Sequence, residues 1–183
     1  MLSPGEARRI LDSADLICAA DEVAAAVRRM AADISAVLAE ANPLVLSVMG
    51  GAVVFTGNLL PQLAFPLDFD YIHVTRYGDE TSGGELRWIA APHEAMAGRT
   101  VLVLDDILDE GITLAAIRTR MLDSGAAACY TAVFADKDIG KPKPIEADFV
   151  GLRLPNRYVF GFGMDVHGAW RNLPAIYALR GEG

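Results

Sequence analysis

Two adjacent carboxylates, Asp105 and Asp106, close the apolar run Val101-Leu102-Val103-Leu104, and Asp109-Glu110-Gly111-Ile112-Thr113 follows after Ile107 and Leu108. Four apolar residues that deliver charges to their end describe a buried strand whose C-terminal tip faces a crevice, where open α/β sheets bind ligands. The turn that follows opens a helix. Its free backbone N–H groups, the Thr113 hydroxyl and the helix N-terminus together make a cradle for a phosphate. Two neighbouring carboxylates are hard oxygen donors, suited to a cation that keeps most of its waters. Solvated acids with ordinary helix capping would use the same residue types, and the cradle directly downstream is what favours chemistry.

A second strand-to-turn transition stands in Val48-Met49-Gly50-Gly51, and Lys137 follows the apolar stretch 128–135. Taken alone, a Gly-Gly after a strand is a turn and a Lys after a strand is a solvated cation. Asp68-Phe69-Asp70 has the spacing of an Asp-x-Asp nucleophile and acid pair. Pro66 stands before it where a buried strand would be needed, so a phosphatase is disfavoured. No GxxxxGK[ST] motif occurs, and His73, His93 and His167 have no metal-ligand spacing.

These residues need a frame, and the apolar periodicity supplies one. Ser3-Pro4-Gly5-Glu6 starts a helix by its cap hydroxyl, early proline and carboxylate, and that helix is expected to reach about residue 15. Val23, Val27, Met30, Ile34, Val37 and Ala41 recur at intervals of three and four, which predicts a long amphipathic helix from Asp21. Strands are expected at 44–49, 70–75, 85–90, 100–104 and 128–135, with helices up to Leu60 and over 113–124. The polar, glycine-containing segment 76–84 reads as a loop. Continuous apolar strands alternating with helices imply a mainly parallel α/β sheet covered on both faces. Short strands near 148–154 and 158–162 are expected to fold back over it as a flap.

Composition narrows the class of function. The 183 residues are 52% hydrophobic and 22% charged, a globular composition sufficient for one sizeable core. With 16 Lys and Arg against 24 Asp and Glu, the formal charge is −8, so a nucleic-acid partner is not expected and any anion must be gripped locally or through a cation. Cys18 and Cys129 lie far apart with no CxxC pattern and read as small core residues in a reducing compartment. No apolar stretch reaches the roughly 18 to 20 residues that span a bilayer, and Glu6, Arg8, Arg9 and Asp12 stand where a leader would need an apolar centre. No membrane partner and a cytoplasmic location are expected.

Residues 101–113 resemble the ribose-phosphate-binding motif of type I phosphoribosyltransferases: apolar residues, two acids, two apolar residues, Asp, a small polar position, Gly, any residue, Thr. Val48-Met49-Gly50-Gly51 is similar to that family's pyrophosphate loop. Asp148-Phe149-Val150-Gly151, then 154–161, Met164-Asp165 and Trp170-Arg171-Asn172-Leu173 follow the order found in hypoxanthine-guanine phosphoribosyltransferases. The resemblance covers roughly residues 44–175. It implies one domain over 1–183, with a core at about 40–140 and a base-binding hood made from the N-terminal helices and about 141–183.

The resemblance also implies roles. Transfer of a phosphoribosyl group from phosphoribosyl pyrophosphate to a 6-oxopurine, with Mg2+ as cofactor, would place Asp109 as the base that takes the purine proton. Met49, Gly50, Gly51, Asp105, Asp106, Glu110, Gly111, Ile112, Thr113 and Arg171 would bind the donor. Lys137, Tyr158, Val159 and Asp165 would meet the purine base, and Asp105, Asp106 and Asp165 would serve the metal. Arg76 and Tyr77 would begin a closing lid. A homodimer or homotetramer is implied as well. The alternative on the same fold is a regulator that binds the donor or nucleotides without turnover. Two departures stand out: Glu110 where relatives more often carry Thr or Ser, and Met49 where many carry Lys or Arg. Glu110 is expected to point out of the loop, or else donor affinity is modest.

Overall fold

A computed structural model describes residues 2–77 and 85–181. Helix α1 (Pro4–Ser13) begins with the expected reciprocal cap: the Glu6 N–H donates to the Ser3 hydroxyl at 3.3 Å and the Ser3 N–H to Glu6 at 2.7 Å. The chain then enters β1 (Asp15–Cys18) before α2 (Ala20–Leu38), whose first turn is closed by Glu22 accepting from the Ala19 N–H at 2.8 Å. Of the expected apolar stripe of α2, Val23, Val27, Met30 and Ile34 are buried; Val37 is 52% exposed and Ala41 lies past the end of the helix, because Leu38, one position on from Val37, closes the buried face.

Six strands form the central sheet: β2 (Leu44–Met49), β3 (Asp68–Tyr77), β4 (Glu85–Ala90), β5 (Thr100–Leu108), β6 (Ala128–Asp138) and β7 (Phe149–Pro155). Their order is β4-β3-β2-β5-β6-β7, parallel except for β4 on the edge. Consecutive strand residues point to opposite faces, and both faces are covered. Val45, Leu102, Leu104 and Phe134 pack under α2 and α3 (Val53–Leu59), while Leu44, Leu46, Val101, Val103 and Val133 pack under α4 (Ile112–Asp123) through Leu114, Ile117 and Met121. Burying a side chain of this size contributes about 1.5–3 kcal/mol. The buried hydroxyls of Ser47 and Thr56 satisfy each other at 2.8 Å.

Two strands run further than their apolar stretches predict. β5 continues through its acids because β6 keeps pairing with it, Asp105 beside Val133 and Leu108 beside Asp136. β6 likewise continues to Asp138, held by β7. The 148–154 segment is a correction: it joins the central sheet as β7, parallel to β6, and does not fold over it as a flap. Arg29 of α2 donates to the Gly151 carbonyl, locking that edge to the helix.

A second, three-stranded sheet stands above the strand tips, in the order β1-β9-β8, with β8 (Val159–Phe160) and β9 (Ile176–Ala178) antiparallel to their neighbours. Neither β1 nor β9 was expected from the sequence, since strands of three or four residues carry too few positions to show a period. Asp15, expected to end α1, instead sits in β1 and accepts from Arg157 at 2.7 Å and Arg180 at 3.0 Å.

Candidate active site

Asp105 and Asp106 sit at the tip of β5, beyond the last pairing of β5 with β2 at Leu104. Each carboxylate accepts a backbone N–H, Asp105 from Asp106 at 3.0 Å and Asp106 from Ile107 at 2.9 Å. Burial and the adjacent Asp106 charge push Asp105 well above the usual carboxylate range. Burial also raises Asp106, against the pull of its hydrogen bonds and of the Arg171 charge. The turn at 49–51 closes on this pair: a Cβ on Gly51 would lie 1.8 Å from the Asp106 carboxylate, so only glycine fits. Gly163, at φ 105°, approaches Gly51 equally closely from the other side, since a Cβ there would meet the Gly51 carbonyl oxygen at 2.1 Å.

Past Leu108 the chain turns into α4. Gly111 precedes the helix at φ 81°, the left-handed region that favours glycine. A small cavity of about 70 Å³ opens here, lined by Asp105, Asp109, Glu110, Gly111 and Thr113 among others, as expected for an anion cradle at a helix start. Glu110 borders this cavity, and its carboxylate lies 3.3 Å from the Lys141 ammonium, with both side chains about half exposed.

Lys137 lies 28 residues from Asp109 in the chain, yet its ammonium donates to the Asp109 carboxylate at 2.7 Å. Parallel pairing of β5 with β6 brings the two strand ends side by side. Next to this pair is a cavity of about 250 Å³ lined by Asp106, Ile107, Asp109, Lys137, Tyr158, Val159, Met164 and Asp165. Tyr158 is 41% exposed and lies nearly parallel to the His167 ring, at 6.4 Å. Asp165 is engaged by Arg171 and by the Gly168 N–H at 2.7 Å, and Arg171 also donates to the Gly163 carbonyl at 2.7 Å.

All four base-side residues expected from the sequence therefore share one cavity, and Asp109 borders both it and the phosphate cradle. Among the described residues no three acidic, histidine or cysteine side chains gather as a cation cage. Ile107, Gly163 and Lys141 carry no expected role from the sequence. The glycines at 161 and 163 were the available sign that backbone approaches closely there. Arg76 and Tyr77 end β3, paired with Leu86 and Glu85, and the remainder of the expected lid, 78–84, lies outside the described residues.

The Asp68 and Asp70 carboxylates have structural partners. Asp68 pairs with Arg99 at 2.7 Å, and Asp70 accepts N–H groups from Tyr71, His93 and Glu94 at 2.7, 2.6 and 3.2 Å. Burial tends to raise Asp70, but these bonds hold it below the usual carboxylate range.

Comparison with known proteins agrees with this geometry. Residues 13–167 match the model of the phosphoribosyl transferase domain. The chain is 34% identical to the hypoxanthine-guanine-xanthine phosphoribosyltransferase of Tritrichomonas foetus, over 87% of this chain and 88% of that protein. It is 30% identical to the hypoxanthine-guanine phosphoribosyltransferase of Bacillus subtilis, over 92% and 94%. It also matches the bifunctional protein TilS/HprT of Listeria innocua at 34% identity, spanning 93% of this chain but only 26% of that longer protein. Among solved structures, a hypoxanthine-guanine-xanthine phosphoribosyltransferase superposes with a TM-score of 0.83 at 32% identity, covering 92% of this chain and 98% of the other. A hypoxanthine phosphoribosyltransferase from Trypanosoma cruzi, in a ternary complex with substrates, does so at 0.85 and 28%, covering 93% and 97%. With the motif in the last residues of β5, the domain match and two relatives aligned over most of their length, the chain belongs to the phosphoribosyltransferase family, in its hypoxanthine-guanine branch.

Proposed function

We propose that this chain transfers the 5-phosphoribosyl group from phosphoribosyl pyrophosphate to a ring nitrogen of a 6-oxopurine, hypoxanthine or guanine, releasing pyrophosphate. One observation carries the reading: Asp109 lies on the border between the phosphate cradle and the cavity that holds Lys137 and Tyr158. A bond between sugar and base would form at that border. Relatives named for hypoxanthine-guanine transfer support the substrate class.

In this reading the backbone N–H groups of 110–113 and the Thr113 hydroxyl bind the 5-phosphate. Met49, Gly50, Gly51 and Arg171 receive the pyrophosphate, for which a planar guanidinium suits paired oxyanions. Tyr158 stacks on the purine, Val159 and Asp165 present backbone carbonyls to its edge, and Lys137 donates to the 6-oxo oxygen. Asp109 takes the proton that the attacking nitrogen loses. Before the base arrives, Asp109 and Lys137 balance each other's charge, and the remaining donors of the Lys137 ammonium are available to the base. Asp105 and Asp106 fit a magnesium ion, because two buried, mutually repelling carboxylates are the oxygen donors such a cation uses alongside substrate phosphates. When bound, magnesium would offset the negative charge of the pyrophosphate. The Asp165 carboxylate would approach a second metal through water.

Phe69, Tyr71 and Ile89 expose apolar surface on β3 and β4, which supports self-association into a homodimer or homotetramer. Cys18 and Cys129 are buried free thiols, each pushed up to about 11 by burial, which supports a reducing, cytoplasmic setting. No helix of the described residues is long and apolar enough to cross a membrane.

The test is pyrophosphate release with phosphoribosyl pyrophosphate and magnesium, comparing hypoxanthine, guanine, xanthine and adenine. Turnover with 6-oxopurines but not with adenine is expected, and it should stop with chelator and return with magnesium. Donor binding without turnover on any base would replace the enzyme by the regulator.

A further inference from the structure

Lys143 occupies the middle of Lys141-Pro142-Lys143-Pro144, and its side chain is only 11% exposed. A buried ammonium is costly unless its donors are satisfied. Here they are: Nζ donates to the Leu108 carbonyl at 2.7 Å, to the Lys137 carbonyl at 2.6 Å and to the Asp136 carboxylate at 2.6 Å. Leu108 and Asp136 are the last paired residues of β5 and β6. Beyond that point the two strand ends lose each other as hydrogen-bonding partners, and Lys143 is what joins them. The residues immediately beyond are Asp109 and Lys137, whose side chains meet at 2.7 Å.

The segment that carries Lys143 is itself braced. Proline on each side restricts the backbone, both at the prolines and at the residues before them. Ile145 is buried in the cluster that includes Leu108 and Leu114, and a Cβ added at Gly111 would lie 3.3 Å from both Pro144 and Ile145. Lys143 is thus held from behind while it grips two carbonyls. One of them belongs to the peptide that leads into Asp109, the other to Lys137 itself.

We infer that Lys143 is a positioning residue that sets the spacing of Asp109 and Lys137, so that the group taking the purine proton and the group reading the 6-position address one base together. The inference rests on the proposed function and deepens it. It predicts that loss of Lys143 damages turnover and base discrimination more than donor binding, because the cradle at 110–113 keeps its own backbone. Misplacement by about 1 Å of a reacting group can cost on the order of a hundredfold.

The experiment is steady-state kinetics of wild type and Lys143→Met with hypoxanthine and with adenine, donor and magnesium saturating, then with donor varied. Expected for Lys143→Met are a kcat on hypoxanthine lower by roughly tenfold to a hundredfold, a donor KM within about threefold, and a narrower gap between hypoxanthine and adenine. Adding Lys137→Ala to Lys143→Met should narrow that gap less than Lys137→Ala does in wild type, since coupled residues are not additive. A folded Lys143→Met with wild-type kcat and wild-type discrimination would overturn the inference, whatever its thermal stability. If Lys143→Met does not fold, Lys143→Gln leaves an amide for the carbonyls and is expected to show the same loss of discrimination. Wild-type discrimination in that variant would assign Lys143 to folding alone. A wild-type chain that transfers to no base overturns the proposed function, and the positioning role with it, before any variant is compared.

Discussion

Residues 105–113 form one unbroken segment, whereas the wall facing them is assembled from residues far apart in the chain. On the first side, a strand end, a turn and a helix start lie within nine positions, and the Asp105 and Asp106 carboxylates each accept the next backbone N–H. On the second, Trp170 donates to the Ala7 carbonyl at 2.7 Å, Arg157 and Arg180 converge on Asp15, and β9 joins β1 to β8. The contrast separates two kinds of constraint. The acidic segment takes its shape from local geometry. The wall facing it is held in place by contacts across more than a hundred residues.

The largest test of that contrast is Asp109→Asn. It keeps the shape of the loop and removes the proton acceptor, so turnover is expected to fall by about 10²–10⁴-fold with a much smaller change in substrate KM. Unchanged kcat in a rapid-quench or continuous assay would remove Asp109 from that role.

Next is Asp105→Asn. Because Asp105 is raised in the folded chain, the folded state binds its proton more tightly than the unfolded state does. Magnesium-free stability therefore falls as pH rises from the ordinary carboxylate range through the raised value. The Asn variant is expected to melt higher than wild type at neutral pH in chelator, with about 2–4 °C for each kcal/mol of burial and charge penalty removed, and to lose stabilisation by magnesium with donor. Melting curves across pH would show a flatter profile for the variant. An equal slope would mean that the fold does not hold Asp105 above the usual carboxylate range.

Trp170→Phe probes the hood. It keeps an aromatic ring and deletes the hydrogen bond to Ala7, for an expected cost of about 1 kcal/mol. Amide exchange should quicken in α1 and leave β5 and α4 unchanged. Faster exchange at β5 would show that the two regions unfold together, contrary to the comparison.

The smallest expected effect is at Glu110→Thr. Since Glu110 is directed to Lys141 on an exposed face, the pair contributes about 0–1 kcal/mol, and donor KM should move by less than about threefold. A much larger tightening would mean that the carboxylate faces the phosphate when donor is bound.

The same contrast explains what was legible beforehand. Glu6 and Ser3 mark α1, the spacing of Val23, Val27, Met30 and Ile34 marks α2, and the two acids with Gly111 mark the strand, turn and helix start. Each signal is periodic or lies within one turn of chain. The short strands β1, β8 and β9 were invisible or blurred because two to four residues show no period, and they exist through pairing with each other. β7 was mistaken for part of a flap because its short alternating run is equally suited to a small antiparallel sheet, and only its pairing with β6 decides between them.

The amino-acid sequence by itself determined the alternation of apolar strands and helices, the acidic tip of β5, the glycine that opens α4 and the family these imply. Those features depend on residue type and on contacts between near neighbours, which spacing encodes. Only the tertiary structure decided that Lys137 reaches Asp109, that Arg171 holds Asp165, that Gly51 is closed in by Asp106 and Gly163, and that Lys143 joins two strand ends. Each of those contacts follows from strand register and the packing of distant segments, quantities that no single stretch of the chain contains.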